Sequence, residues 1–174
     1  MIITLKDGSK KEYDHAVSVL DIASDISEGL ARMACAGEAD GQVVDLRTTV
    51  DHDCELSILT FNEEGGKAAF RHTASHIMAQ AIKRLYPDAK LAIGPSVSDG
   101  FYYDIDLGDE VIKEEDLAKI EKEMKKIAKD GKRIVRKEIS KEEALEMFQN
   151  DPYKIDLISD LEDGTITCYQ QGEF

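Results

Sequence analysis

The sequence predicts an α+β protein made of two successive parts, and three observations support this prediction. Residues 1–61 contain short apolar runs typical of strands, around one helical pattern. Residues 67–174 mix longer amphipathic helical patterns with further strands. Residues 62–66, Asn-Glu-Glu-Gly-Gly, are polar and contain two adjacent glycines, as linkers do. We therefore place a linker and domain boundary at 62–66.

Composition limits the class of protein. The 174 residues hold 22 Lys and Arg against 36 Asp and Glu, a formal net charge of -14, which disfavours non-specific coating of nucleic acid. Cys35, Cys54 and Cys168 are scattered and odd in number, as in proteins of a reducing cytoplasm. No apolar run has the length of a membrane span, and the start lacks the pattern of a secretion signal. We expect a cytoplasmic protein with no membrane partner.

The first 61 residues predict a small β-rich domain. Strands at 2–5 and 9–13 flank Asp7-Gly8, a favoured hairpin turn. A helix follows, with Ser18 as its cap and Gly29 as its end. Further strands are expected at 32–36, 42–46 and 55–61, with a tight turn at 39–41. This order is compatible with a β-grasp, ubiquitin-like fold.

The segment 68–86 has the strongest helical periodicity in the chain. His72 and His76 are four positions apart and point away from its apolar stripe, so the two imidazoles share one polar face. Such a face either meets water or forms the floor of a cleft beneath a second structural layer. The apolar stripe consists of Phe70, Ala74, Ile77, Met78, Ala81, Ile82 and Leu85.

The remaining elements follow from periodicity and turn residues. They are strands at 90–93 and 101–107, a helix at 114–130, a strand at 134–139, a helix capped by Ser140 that ends near 150, and strands at 154–158 and 165–169. In the second of these strands, odd-numbered apolar residues alternate with Tyr102 and two aspartates, which predicts a half-buried strand.

A basic run interrupts the acidic composition. Residues 122–137 hold eight cationic side chains against two acidic ones. This run is either a solvated helix face or a local contact for phosphate groups. The candidate contacts are Lys122, Lys125, Lys126, Lys129, Lys132 and Arg133.

Two histidines at this spacing form half of a metal or acid-base site. A zinc site needs a third ligand, which Cys168 could supply if the last strand returned beside the helix, and no Glu stands between the histidines as in a zinc protease helix. Lys154 could hold a water molecule or an oxyanion beside the histidines, or it could be an exposed lysine at a strand end.

Three segments in order and at this spacing carry a family resemblance: Phe-Arg-His-Thr-Ala-Ser-His at 70–76, Leu-Ala-Ile-Gly-Pro at 91–95 and Asp-Gly-Phe-Tyr-Tyr-Asp at 99–104. They resemble the amino-terminal part of bacterial threonyl-tRNA synthetases, over essentially all 174 residues. By this resemblance, residues 1–61 form a TGS domain of β-grasp fold, and residues 67–174 form most of an α+β editing domain.

The resemblance implies a hydrolytic role for the second part. In this family the editing domain removes serine wrongly attached to tRNA(Thr), because one missing methylene gives only about 1 to 3 kcal/mol of discrimination in the synthetic site. Motif matching assigns His72, His76 and Lys154 to catalysis, and Tyr103 and Gly94 to the substrate pocket. The implied partner is the acceptor end of tRNA(Thr).

The chain departs from the family pattern in one respect. The family's later Cys-x-x-x-His segment follows a stretch resembling residues 169–174, so we expect a truncated editing domain that is weak or inactive by itself. No cofactor or metal is expected in this region, since ATP, magnesium and zinc belong to the family's synthetic core. The parent enzyme is expected to form a homodimer through that core.

The alternative function is a β-grasp module that binds RNA, a nucleotide or a protein without catalysis.

Overall fold

A computed structural model describes residues 1–162 and 164–174. Contacts between Cα atoms divide the chain into two compact units, Met1–Thr73 and Ala74–Phe174. Both units contain helices and strands, which confirms the α+β class.

The first unit is built around a five-stranded sheet with the order β2-β1-β7-β4-β5. β1 and β7 are parallel, and the other neighbouring pairs are antiparallel. The sheet packs its buried face on α1, where Val19 and Ile22 meet Ile3 and Leu56 in one core. The elements are β1 (Ile2–Leu5), β2 (Lys10–Glu12), β3 (Val17–Ser18), α1 (Val19–Ile26), α2 (Glu28–Met33), β4 (Ala34–Ala39), β5 (Gln42–Val44), β6 (Thr49–Val50) and β7 (Cys54–Thr60). The predicted β-grasp architecture is confirmed.

Local chain chemistry explains the main agreement and the main difference in this unit. Ser18 caps α1 as predicted, since its hydroxyl accepts a hydrogen bond from the Asp21 amide at 3.1 Å. Ser27 caps a second helix, α2, through the Leu30 amide at 3.0 Å. Gly29 therefore lies inside α2 rather than ending α1, and the strand expected at 32–36 begins only at Ala34.

The two glycines of the predicted linker are helical. Helix α3 (Glu64–Leu85) includes both of them. A Cβ atom on Gly66 would lie 1.8 Å from the carbonyl oxygen of Thr60, so glycine permits close packing there rather than flexibility. Residues 64–66 of the predicted linker are thus the first residues of a helix. Before them, the Glu63 carboxylate accepts hydrogen bonds from the Thr60 amide and hydroxyl and fixes the turn that leads into the helix. The domain boundary at 62–66 stays a prediction.

The second unit is made of helices and short strand pairs. Its core contains Ala79, Ala81 and Ile82 of α3 together with Ile120 and Ile127 of the next helix. The elements after α3 are β8 (Lys90–Leu91), β9 (Ser96–Val97), β10 (Gly100–Phe101), β11 (Ile105–Asp106), α4 (Glu114–Asp130), β12 (Ile134–Ile139), α5 (Lys141–Met147), α6 (Pro152–Ser159) and β13 (Ile166–Gln171). The antiparallel pairs are β8 with β11, β9 with β10, and β12 with β13.

Two predictions in this unit are wrong. The strand expected at 101–107 is divided into β10 and β11, although Tyr103 is half-buried and Tyr102 exposed as the alternation predicts. The strand expected at 154–158 is helix α6, because Asp151 caps it through the Lys154 amide at 3.2 Å and Pro152 occupies its first position. The predicted helix 114–130 and strand 134–139 are confirmed at both ends.

The apolar stripe predicted for α3 is only partly buried. Phe70 is 53% exposed and Leu85 is 38% exposed, whereas the polar residues Ser75 and Gln80 are buried. Phe70 lies edge-on to Phe61, with ring centroids 5.1 Å apart. The buried side of the helix is therefore rotated from the predicted stripe towards the face that contains Gln80.

Candidate functional site

Helix α3 presents the two histidines to different environments. His72 is exposed, yet neighbouring protein desolvates its ring enough to lower its pKa. A lowered pKa favours the neutral imidazole, which can accept a proton. His76 is half-buried, and its ring centroid lies 5.3 Å from that of Tyr169.

A second layer does lie against the polar face of α3. The Gln80 side chain donates a hydrogen bond to the Gln171 carbonyl at 3.4 Å, and the Gln171 side chain donates to the Lys132 carbonyl at 3.1 Å. These contacts, together with Tyr169 on His76, place β13 beside the helix. The face that contains His76 is thus covered by a strand rather than open to water.

The orientation of β13 bears on the zinc alternative. Successive side chains of a strand point to opposite faces, so Cys168 lies on the face opposite to Tyr169, which contacts His76. The interpretation of Cys168 as a third ligand is therefore not supported. Within residues 1–162 and 164–174, no group of three His, Cys, Asp or Glu side chains is arranged to hold a metal ion.

Lys154 is held in the first turn of α6. Its ammonium group donates a hydrogen bond to the Ala92 carbonyl at 3.1 Å. Burial lowers the pKa of Lys154, and the nearby Asp151 carboxylate partly opposes that shift. The lysine is therefore a partly desolvated cation rather than an exposed lysine at a strand end.

Gly94 and Tyr103 are in direct contact. A Cβ atom on residue 94 would lie 2.3 Å from the Tyr103 ring, so only a glycine lets the ring approach the backbone this closely. Burial and the Asp151 charge raise the pKa of Tyr103, which keeps its phenol protonated. The backbone between Ala92 and Asp104 is paired, with Ala92 N donating to Asp104 O at 3.0 Å.

The structure therefore brings together part of the predicted site. Gly94, Tyr103 and Lys154 lie at one end of the β8–β11 pair, and Asp151 acts electrostatically on both the tyrosine and the lysine. His76 lies against Tyr169 of β13. The gathering of His72, His76 and Lys154 around one substrate stays a prediction.

The cationic side chains of the basic run differ in whether they are ion-paired. The six candidate contacts are all exposed. Two of them are ion-paired along α4: Lys125 with Glu121 at 2.5 Å, and Lys126 with Glu123 at 2.8 Å. Ion pairing reduces the positive field that these two lysines offer to a phosphate group, so Lys122, Lys129, Lys132 and Arg133 are the stronger candidates.

Comparisons with known proteins agree with this architecture. Residues 1–60 match the TGS domain family. Threonine–tRNA ligase from Clostridioides difficile is 55% identical over 175 residues, and that from Acetivibrio thermocellus is 53% identical over 175 residues. Each alignment covers 99% of this chain and 27% of the relative.

The chain matches the amino-terminal region of threonine–tRNA ligases. It spans about a quarter of the length of these curated relatives, 27% in each case. In the described part of this chain, none of the helices combines the length and apolar content needed to cross a membrane.

Three residues that the sequence does not mark as functional are connected to the candidate site by the structure. Asp151 caps α6 and acts on Tyr103 and Lys154, Tyr153 donates to Asp106, and Tyr169 contacts His76. The Asp-Pro pair at 151–152 was a usable signal, because Asp before Pro is a helix start as well as a helix stop. Nothing in the local sequence marks Tyr169.

A surface cleft of about 340 Å³ lies near Asp151. Its lining includes Lys83 near the end of α3, Met147 and Phe148 at the end of α5, and Asp151 itself. The histidines do not line this cleft. Neither Lys154 nor Tyr103 lines it, so the candidate site lies with the contacts of those two residues and not in this cleft.

Proposed function

We propose that this chain contributes to post-transfer editing in a threonine–tRNA ligase, by hydrolysing serine from mischarged Ser-tRNA(Thr). The observation that supports this most directly is the Lys154 ammonium at the Ala92 carbonyl, beside the contact between Gly94 and Tyr103. The names of the relatives support a tRNA partner, for which the acceptor end of tRNA(Thr) is the proposed ligand.

Each side chain has a proposed part in ester hydrolysis. Lys154 stabilises the negative charge that develops on the carbonyl oxygen or polarises the attacking water. His72, whose pKa is lowered, accepts a proton from that water as the neutral imidazole, and then donates it to the ribose oxygen as the ester bond breaks. His76 positions the terminal ribose. This route needs no covalent nucleophile, and we propose that it needs no metal, which elemental analysis of the purified protein would test.

Size selection is proposed for Gly94 and Tyr103. The glycine leaves room for the Tyr103 ring against the backbone, and the ring then limits the volume beside the seryl side chain. In the synthetic site, one methylene is too small a difference to separate threonine from serine well enough. A second pocket that admits serine and excludes threonine supplies the remaining discrimination.

The deciding experiment measures the release of serine from Ser-tRNA(Thr). We expect this chain alone to deacylate slowly, and a longer version that includes the family's Cys-x-x-x-His segment to deacylate well. Lys154→Ala in the longer version should lower the rate by roughly 10² or more, as removal of an oxyanion donor does in other enzymes. Equal rates for the short and long versions would contradict the proposed division of the site.

For the longer protein, the proposed activity is ATP-dependent attachment of threonine to tRNA(Thr), carried out by a cytoplasmic homodimer.

A second candidate function for the chain itself is binding without catalysis. The exposed edge-to-face pair of Phe61 and Phe70 favours it, because aromatic rings outside a core are common at binding surfaces. Unchanged affinity for tRNA and nucleotides after substitution of both rings would count against this candidate.

A further inference from the structure

The first turn of α6 is attached to the β8–β11 pair at two points. The Tyr153 hydroxyl donates a hydrogen bond to the Asp106 carboxylate in β11 at 2.8 Å. The next residue, Lys154, donates to the carbonyl of Ala92, just after β8, at 3.1 Å. The two strands are themselves paired, with Ile105 opposite Leu91. Adjacent residues of one helix thus contact β11 and the residue that directly follows β8.

The Asp106 carboxylate is oriented before it meets Tyr153. Its other oxygen accepts a hydrogen bond from the Gly108 amide at 2.8 Å. Gly108 has a φ of 64°, a conformation that glycine adopts readily, so the turn after β11 brings that amide back onto the carboxylate. Both carboxylate oxygens are therefore used, one by the turn and one by α6.

Asp106 and Tyr153 have protonation states that favour their hydrogen bond. Hydrogen bonds from the Gly108 amide and Tyr153 lower the pKa of Asp106, and the hydrogen bond to Asp106 raises the pKa of Tyr153. The acceptor is an anion and the donor a neutral phenol throughout the physiological pH range. A hydrogen bond to a charged acceptor is stronger than one between neutral groups.

We propose that Tyr153 and Asp106 are positioning residues for Lys154: they fix the first turn of α6 on β11, so that the Lys154 ammonium reaches the segment containing Ala92 and Gly94. The purpose of that placement rests on the editing function proposed above. The placement itself does not, since it concerns contacts within the second unit.

The first test observes Lys154 directly. In the 174-residue chain, Tyr153→Phe removes the hydroxyl and keeps the ring, and the pKa of Lys154 is measured by NMR through its side-chain Cε resonance. We expect the pKa to rise towards that of an ordinary lysine, because a loosened first turn lets water reach the ammonium. Tyr102→Phe is the matched control, since Tyr102 is also an exposed tyrosine; it should leave Lys154 unchanged. An unchanged Lys154 pKa in Tyr153→Phe would overturn the proposal.

The second test separates positioning from general stability. Asp106→Ala and the double variant complete a thermodynamic cycle in which the two single shifts of the Lys154 pKa should not add, because either change removes one partner of the same contact. Additive shifts would overturn the pairing. If Tyr153→Phe prevents α6 from forming, Asp106→Ala, which leaves the α6 sequence intact and removes the acceptor, decides the question.

The third test connects placement with turnover. In a longer ligase that deacylates Ser-tRNA(Thr), Tyr153→Phe should lower kcat roughly three- to tenfold with little change in KM, as expected when a hydrogen bond that orients a reacting group is lost. A change in KM alone would overturn the positioning role. If the unmodified ligase does not deacylate, the editing function fails, while the NMR result still decides whether the pair positions Lys154.

Discussion

The Asp151 side chain has two effects: it caps a helix, and its charge shifts the pKa of two neighbouring residues. Its carboxylate caps α6 through the Lys154 amide, and its charge acts on the Lys154 ammonium and the Tyr103 phenol. A negative charge raises the pKa of either group, since it stabilises the ammonium and destabilises the phenolate. The capping and the electrostatic effects are therefore separable by a substitution that changes only charge.

We predict that Asp151→Asn lowers the pKa of both Lys154 and Tyr103 while α6 stays folded, because asparagine caps helices about as well as aspartate. In an editing-competent ligase, the loss of activity as Lys154 deprotonates should then begin at lower pH. NMR titration of both side chains and a pH–rate profile measure these effects. Asp160→Asn, which removes a charge at the other end of α6, is the control. Equal shifts in both variants would contradict a specific role for Asp151.

Single residues also show what the sequence could predict about the site. His72, His76 and Gly94 were identified by motif, and the contact between Gly94 and Tyr103 gives a physical reason for the glycine. The covering of His76 by Tyr169 was not predictable, because it depends on a strand about ninety residues later in the chain returning to α3. Long-range packing of this kind leaves no local pattern.

At the scale of elements, the predictions succeeded where local chemistry acts alone. The capping box at Ser140 and Glu143 begins α5 as predicted, and the periodic helix α4 has the predicted ends. Helix α6 was predicted as a strand because its apolar run is too short for periodicity to separate the two states. Helix α2 was missed for the same reason, since it has only six residues.

The start of α3 gives a test at this scale. We predict that Gly66→Ala destabilises the protein by about 1 to 3 kcal/mol, the usual cost of forcing extra volume into a packed site, because the added Cβ would overlap the Thr60 carbonyl oxygen. Chemical denaturation measures the free energy of unfolding. Gly29→Ala is the control, since residue 29 is also helical and its Cβ would come no closer than 3.9 Å to Ser27.

The control substitution should have the opposite sign. An alanine in an open helical position stabilises by roughly 0.5 to 1 kcal/mol relative to glycine. If Gly66→Ala also stabilised the protein, the close packing of α3 on Thr60 would be contradicted.

The protein as a whole carries a negative net charge, as does the tRNA that we propose as its partner. The net charge of -14 repels RNA, so binding depends on a local basic surface. Two lysines of α4, Lys125 and Lys126, are ion-paired with glutamates of the same helix. Among the described residues, no ion pair is seen for Lys129, Lys132 or Arg133.

We therefore predict that replacing Lys129, Lys132 and Arg133 by alanine weakens tRNA binding and reduces the salt dependence of the affinity. The slope of log K against log salt concentration should fall by roughly 2 to 3, because each lost phosphate contact removes a little less than one unit. Fluorescence titration at several salt concentrations measures this slope. Lys10→Ala, an exposed charge loss in β2, should leave the slope unchanged, and a comparable reduction there would contradict a local contact surface.

The turn between Thr60 and Glu63 has a practical consequence for anyone who separates this protein into pieces. A cut at the glycine pair would divide a helix and expose the Thr60 carbonyl that Gly66 packs against. Peptides that end there would be expected to fray and to be degraded, and poor yields could be mistaken for an unstable first domain. The exposed Gly164, where an added Cβ would meet nothing within 4 Å, offers a better position for inserting a tag or label.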